Sequence, residues 1–200
     1  IPYLVRLFNE IFDTGIIPDN WGESIIVPIH KKGSKQTPNN YRGISLINSL
    51  CKIFTCVLNN RLSQWCEEHN ILDESQAGFR KNYSTIDNLF TLMSVTQKYL
   101  SKPGGRFYCI FIDFAKAFDS IQHNILWNAL YRKSINGKFL LVLQSMYTNL
   151  KACVRVGHGL SDFFRCNVGT RQGCICSPVI FCLFINDLVD HLKNNFQNGI

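Results

Sequence analysis

The 200-residue chain has few of the features that mark membrane, repetitive or disordered proteins. No apolar run reaches the roughly 18 residues that suggest a membrane-spanning helix, so we expect no membrane partner. The first residues, Ile1-Pro2-Tyr3, contain neither an initiator Met nor a signal-peptide layout, so we expect a piece of a longer polypeptide. Hydrophobic residues make up 46% and charged residues 18%, which is typical of one globular domain.

The cysteines lack a pattern. There are nine of them, an odd number, and no two are spaced as C-x-x-C. Most lie in apolar runs, as Cys182 does, and free cysteines of this kind are typical of a reducing compartment. We therefore expect an intracellular protein, in either the nucleus or the cytoplasm. A zinc site built on Cys66, His69, Cys174 or Cys176 would have poor ligand spacing.

Acidic residues are missing from two long stretches, and the net charge is +7. None occurs between Glu23 and Glu67, a stretch that contains six basic residues. From Arg132 to Arg171, Asp162 is the only acid. Two concentrated basic segments fit a polyanionic partner such as nucleic acid, although ordinary surface charge would give the same pattern.

Hydrophobic periodicity and capping residues predict an α+β fold. Helices are expected over residues 3–12, 48–69, 84–100, 124–133, 138–149 and 177–192. Strands are expected over residues 24–29, 39–46, 107–112, 152–156 and 163–168. The first two strands are joined by a lysine-rich turn and form a hairpin with a positive tip.

Two segments are candidates for chemistry. The apolar run Phe107–Ile112 stops at Asp113, which would place a hard oxygen ligand at a sheet edge, where it suits Mg²⁺ chemistry on phosphates. Asp is also a common residue at the end of a strand, and the local pattern alone favours that interpretation. The loop Gly169–Pro178 frames Arg171 and Gln172 between two glycines before a helix N-terminus, which favours phosphate, although it also fits an ordinary connecting loop.

Five segments, taken in order, resemble the reverse transcriptases of non-LTR retrotransposons. They are Pro28–Gly33 (PIHKKG), Asn40–Leu46 (NYRGISL), Gln76–Arg80 (QAGFR), Phe111–Asp119 (FIDFAKAFD), and Arg171–Gly173 with Ser177-Pro178 (RQG…SP). Each segment has modest specificity, but the ordered set is highly specific and covers nearly the whole chain. The resemblance implies a right-hand polymerase, with residues up to about 105 mainly in the fingers and the remainder forming part of the palm.

The resemblance also implies roles for the acidic strand end. Asp113 matches the first metal-binding aspartate of the family, and the carbonyl of Phe114 would be a further metal ligand beside the nucleotide. Phe118 matches the aromatic residue that lies under the sugar of the incoming nucleotide and rejects a 2′-hydroxyl. The implied cofactors are two Mg²⁺ or Mn²⁺ ions.

The implied partners are an RNA template, a DNA primer and dNTPs, together with an endonuclease domain fused in the full-length parent. Lys31 and Arg42 match the residues that hold the triphosphate. Gln172 and Gly173 match the loop that packs against the nascent base pair, so we expect Asp113 and Gln172 to border one open cleft. Backbone contacts are expected from three further basic residues: Lys32, Arg80 and Arg171.

The aromatic-x-Asp-Asp hairpin of the family has no counterpart, because no Asp-Asp pair occurs in the sequence. Asp187 and Asp190 lie on a predicted helix and do not match it. The resemblance therefore implies a domain truncated before that hairpin and the thumb, and inactive alone, since one aspartate cannot hold two metals roughly 3.5–4 Å apart. Two alternatives stay open: a catalytically dead nucleic-acid-binding remnant of the same fold, and a reverse transcriptase of a group II intron or retron.

Overall fold

The structure, a computed structural model, describes residues 1–195. Within these residues it is a mixed α+β domain of six α-helices and five strands. No helix among them is both long and apolar enough to cross a membrane. The elements are α1 (Pro2–Thr14), β1 (Glu23–His30), β2 (Tyr41–Ile47), α2 (Ser49–Glu68), α3 (Thr85–Leu100), α4 (His123–Arg132), α5 (Gly137–Thr148), β3 (Lys151–Val156), β4 (Gly159–Leu160), β5 (Phe164–Arg165) and α6 (Ser177–Asn195).

Capping residues define the ends of several helices. Helix α1 ends at Gly15, whose φ of 72° is left-handed and whose amide donates to the Ile11 carbonyl. The Asn48 side chain accepts from the first amides of α2. Ser84 and Asp87 form a capping box at the start of α3. The six predicted helices are confirmed, with small shifts at their ends.

The sheet joins the two halves of the chain. Its strand order is β2-β1-β3-β4, and β5 also pairs with β3. Strands β1 and β2 form the predicted antiparallel hairpin, with Ile26 opposite Ser45. Strand β1 also pairs in parallel with β3, where Ile26 lies opposite Val154. The sequence did not predict this parallel pairing or the short strand β4.

The hydrophobic core lies among the helices. Helices α4, α5 and α6 contribute side chains that are no more than 1% exposed, among them Leu130, Leu143 and Leu183. Phe54 of α2 packs on Trp21, with ring centroids 5.7 Å apart. Three buried residues from the segments that connect α3 with α4 and β5 with α6 belong to the same core: Ile121, Cys174 and Cys176.

The predicted strand over residues 107–112 is wrong. The segment has no strand pairing within the described part of the chain. Tyr108, Ile110 and Phe111 are each more than 80% exposed. A strand needs a neighbour to satisfy its backbone amides and carbonyls, and none of residues 1–195 lies beside it in that way. The strand predicted over residues 163–168 is shorter than expected, with β5 followed by one isolated bridge from Val168 to Gln122.

Candidate active site

A cavity of about 280 Å³ lies between the sheet and the loop that precedes α6. This volume is near the lower end of small-ligand pockets, roughly 300–1,000 Å³. We call it the central cleft, and its lining residues are Ser24, Ile26, Gly43, Ser45, Asp119, Leu150, Ala152, Cys166, Val168, Gly169, Thr170, Arg171 and Gln172.

Glycines allow the loop to lie directly against its neighbours. Gly173 has a φ of +84°, and a Cβ built on it would be 2.6 Å from the backbone oxygen of Ser45. Gly169 has a φ of +87°, and its Cβ would be 2.9 Å from the Cα of Asp119. Both positions therefore require glycine, for conformation and for space. One end of the loop contacts β2 and the other contacts the turn that contains Asp119.

Hydrogen bonds fasten this loop to residues 118–123. The amide of Thr170 donates to the Phe118 carbonyl at 2.6 Å, and the amide of Gly169 donates to Ile121 at 2.8 Å. Nε2 of His123 lies 2.8 Å from the Gly169 carbonyl, which can only accept, so the imidazole nitrogen donates. The segments around Phe118 and Gln172 thus form one connected wall of the central cleft.

Gln172 and Asp119 meet inside the cleft. Nε2 of Gln172 donates to Oδ1 of Asp119 at 2.5 Å. Gln172 was predicted from the sequence as a site residue. No role is predicted for Asp119 from the sequence. The only signal for it in the sequence is its position as the last residue of the FIDFAKAFD segment.

Arg171 faces the interior. It is 5% exposed, and its guanidinium donates to the Trp21 carbonyl and, at 3.2 Å, to Sγ of Cys51. Its backbone amide donates to the hydroxyl of Tyr147 at 3.3 Å. Burial raises the pKa of the Cys51 thiol, and the positive charge of Arg171 opposes that rise. In this arrangement Arg171 anchors the loop and is not placed to contact a nucleic-acid backbone.

Arg80 is also occupied within the protein. Its side chain is 6% exposed and forms an ion pair with Glu67 at 2.7 Å. It also donates to the Asp73 carbonyl at 2.8 Å and lies 3.8 Å from the ring centroid of Tyr83. The hydrogen bond from Arg80 lowers the pKa of Glu67. These contacts hold the Arg80 side chain inward and explain its burial. The guanidinium is therefore not exposed for the predicted contact with nucleic acid.

Phe118 connects two of the sequence segments but does not line the central cleft. Its ring centroid is 4.6 Å from that of Phe181 on α6 and 6.1 Å from that of Phe79. Phe79 belongs to the QAGFR segment and Phe118 to FIDFAKAFD. The two segments therefore meet in space, as their shared resemblance implied.

The basic residues of the β1–β2 hairpin do not line the central cleft. Lys31 and Lys32 are exposed in the turn after β1, where the Lys31 amide donates to Asn40 at 2.8 Å. Successive side chains on a strand point to opposite faces. Arg42 is therefore on the face of β2 opposite Gly43, which lines the cleft.

Asp113 and Phe114 are exposed and are not among the residues that line the cleft. Asp113 therefore does not line the central cleft beside Gln172 in this structure, because residues 107–112 form no strand that would hold it at the sheet, and its site role stays a prediction. Within residues 1–195, no group of three or more His, Cys, Asp or Glu side chains could hold a metal ion. The described residues do not by themselves fit a two-metal centre.

Comparison with known proteins gives one consistent result. Residues 29–200 match the family described as "Reverse transcriptase (RNA-dependent DNA polymerase)". The chain is 32% identical over 191 residues to the probable RNA-directed DNA polymerase from transposon BS of Drosophila melanogaster, which covers 94% of the chain and 21% of that relative. It is 27% identical over 195 residues to the RNA-directed DNA polymerase from mobile element jockey of the same species, covering 96% and 21%.

A third relative is the retrovirus-related Pol polyprotein from type-1 retrotransposable element R2 of Nasonia vitripennis, 28% identical over 189 residues, covering 94% of the chain and 18% of that relative. The chain thus spans about a fifth of the length of the curated relatives that it matches.

Proposed function

Since the chain belongs to the reverse transcriptase family and is homologous to the RNA-directed DNA polymerases of non-LTR retrotransposons, we propose that it forms the nucleotide-binding part of such a polymerase. The reaction is template-directed transfer of a dNMP to a primer 3′-hydroxyl. One observation carries the proposal: three of the resembling segments meet at the central cleft, through Gly43, Asp119 and Gln172.

In this proposal residues up to about 105 are mainly fingers and the rest begins the palm. The primer 3′-hydroxyl attacks the α-phosphate of the dNTP, and pyrophosphate leaves. Catalysis of phosphoryl transfer depends mostly on positioning and on stabilising charge. By the family resemblance, three residues that do not line the central cleft would also serve the nucleotide: Lys31 and Arg42 would neutralise the triphosphate, and Phe118 would exclude a 2′-hydroxyl by its bulk. Gln172 and Gly173 would pack against the nascent base pair.

Polymerases of this family generally use divalent metal ions, which would stabilise the charge that develops on the phosphates. Asp113 and the Phe114 carbonyl are the ligands proposed for Mg²⁺ or Mn²⁺ in this chain. Because the described residues do not complete such a site, the remaining carboxylates would come from elsewhere in the polymerase. An RNA template and a DNA primer are the proposed partners, which the two acid-poor basic segments favour.

A chimaeric polymerase tests this function. This chain would replace the matching segment of the jockey polymerase, with the unaltered jockey protein as positive control. We expect the chimaera to extend a DNA primer on an RNA template. Asp113→Asn should abolish extension and leave template binding nearly unchanged, because basic residues elsewhere provide most of the binding.

Two results would contradict the proposal. The first is full extension by the Asp113→Asn chimaera. The second is a folded chimaera that binds template as tightly as the jockey protein but never extends the primer, which would favour a nucleic-acid-binding remnant.

A further inference from the structure

The carboxamide of Gln172 has a defined orientation because of its partner. Its neighbour Asp119 presents a carboxylate, which only accepts hydrogen bonds when ionised. The group 2.5 Å from Asp119 Oδ1 must therefore be the NH₂ of Gln172. The opposite end of the amide, Oε1, is then turned away from Asp119.

The glycine at position 43 provides the space that Oε1 faces. Oε1 lies 3.9 Å from the position that a Cβ on Gly43 would occupy. That same Cβ would lie 2.9 Å from Cγ2 of Ile26 on β1, so β1 and β2 are closely packed there. Gln172, Gly43 and Ile26 all line the central cleft. The amide thus directs a hydrogen-bond acceptor toward the β2 side of the cleft.

Asp119 can impose this orientation because its own backbone is held. Its amide donates to the Lys116 carbonyl at 2.9 Å, and the preceding carbonyl, that of Phe118, accepts from Thr170 at 2.6 Å. The backbone at Gly169 lies so close that a Cβ there would be 2.9 Å from the Asp119 Cα. The backbone that carries the Asp119 carboxylate therefore has little freedom to move.

We propose that Asp119 is a positioning residue that orients the Gln172 carboxamide, so that the central cleft presents the acceptor Oε1 to a hydroxyl or amino donor of the substrate. The identity of that substrate as a deoxynucleotide rests on the proposed function. The orientation itself depends only on the residues of this chain.

Two substitutions of Asp119 distinguish a residue that orients the Gln172 carboxamide from one that only holds the loop in place. Asp119→Ala removes the acceptor altogether. Asp119→Asn keeps a hydrogen-bonding partner but can also donate, so the Gln172 amide is free to adopt either orientation. A residue that only tethers the loop would tolerate Asn, whereas a positioning residue would not. Asp162→Asn is the matched control, because Asp162 is an exposed aspartate that does not line the central cleft.

The first measurement needs no polymerase activity. In ¹⁵N-labelled 200-residue chain, the side-chain NH₂ signals of Gln172 would be identified by their loss in Gln172→Met. We expect one proton to be shifted downfield by the carboxylate in the unaltered chain and in Asp162→Asn. The shift should disappear in Asp119→Ala and weaken in Asp119→Asn. A Gln172 signal that is unshifted and indifferent to the Asp119 variants would overturn the proposed orientation.

The second measurement uses the jockey chimaera. A neutral hydrogen bond contributes about 0.5–1.5 kcal/mol, so we expect both Asp119 variants to raise the dNTP KM roughly two- to tenfold. kcat should change less, and the melting temperature should stay that of Asp162→Asn. An Asp119→Asn chimaera with the KM of the unaltered one would overturn the positioning role. An unaltered chimaera without any activity would instead count against the proposed function, while the NMR result still decides the orientation.

Discussion

Replacing Gly173 by Ala should destabilise the protein through two separable effects. The first is conformational, because a φ of +84° is left-handed and costs a non-glycine residue roughly 1–2 kcal/mol. The second is steric, because the new Cβ would lie 2.6 Å from the backbone oxygen of Ser45 on β2. Relieving such overpacking costs about 1–3 kcal/mol. The free energy of unfolding should therefore fall by roughly 2–5 kcal/mol, the sum of the two.

Gly157 provides the matched control. Its φ is +59°, but a Cβ there would meet nothing within 4 Å. Gly157→Ala should therefore show only the conformational effect. In a chain of this size 1 kcal/mol shifts the melting temperature by about 2–4 °C, so Gly173→Ala should melt roughly 2–12 °C below Gly157→Ala. Thermal denaturation followed by circular dichroism measures this difference. Equal melting temperatures would refute the close packing of the loop on β2.

Three further outcomes are expected. Binding of RNA or DNA by the 200-residue chain should weaken steeply with salt. The magnitude of the negative slope of log K against log salt should decrease by up to about 3 when the hairpin residues Lys31, Lys32 and Arg42 are replaced by Ala. The matched control, replacement of Arg6, Lys98 and Lys102 by Ala, should leave the slope unchanged. The chain alone should incorporate no dNTP in a primer-extension assay with Mg²⁺ or Mn²⁺, since residues 1–195 gather no metal-binding cluster; incorporation would reveal one. Hydrogen bonds from Lys193 and Ser75 lower the pKa of Asp73 to about 2 from 3.8. The carboxylate therefore stabilises the fold above about pH 4, and that contribution is lost as the pH falls toward 2. Asp73→Asn should flatten the dependence of melting temperature on pH across this window; an unchanged profile would contradict the assignment.

Local patterns predicted most of the secondary structure. The capping box at Ser84, the glycine after α1 and the alternation along the hairpin each act within a few residues, so they can be recognised in a sequence. The prediction of a strand over Phe107–Ile112 was wrong because strand formation depends on residues outside the run. Apolar residues favour a strand only when a neighbouring strand is present, and that neighbour is not encoded in the run itself.

The sequence indicated some of the residues at the central cleft and missed others. Gln172 and Gly169 of the predicted loop line the central cleft, and Gly173 packs against Ser45 of β2, while the roles predicted for Gln172 and Gly173 stay predictions. The inward direction of Arg171 could not be predicted, because its partners, Trp21 and Cys51, are far away in sequence. Asp119 was overlooked because its importance comes from a hydrogen bond across 53 positions of the chain.

The parallel pairing of β1 with β3 has a consequence for folding during synthesis. Ser24 of β1 and Lys151 of β3, which are joined through a hydrogen bond, are 127 positions apart. A ribosome adding about 5–20 residues per second needs roughly 6–25 s to make the intervening chain. For that time the inner edge of β1 has no β3 beside it and is open to pairing with another chain. Newly made chains should therefore be most prone to aggregation before β3 emerges, and a chain ended shortly before residue 151 should depend more on chaperones than the 200-residue one.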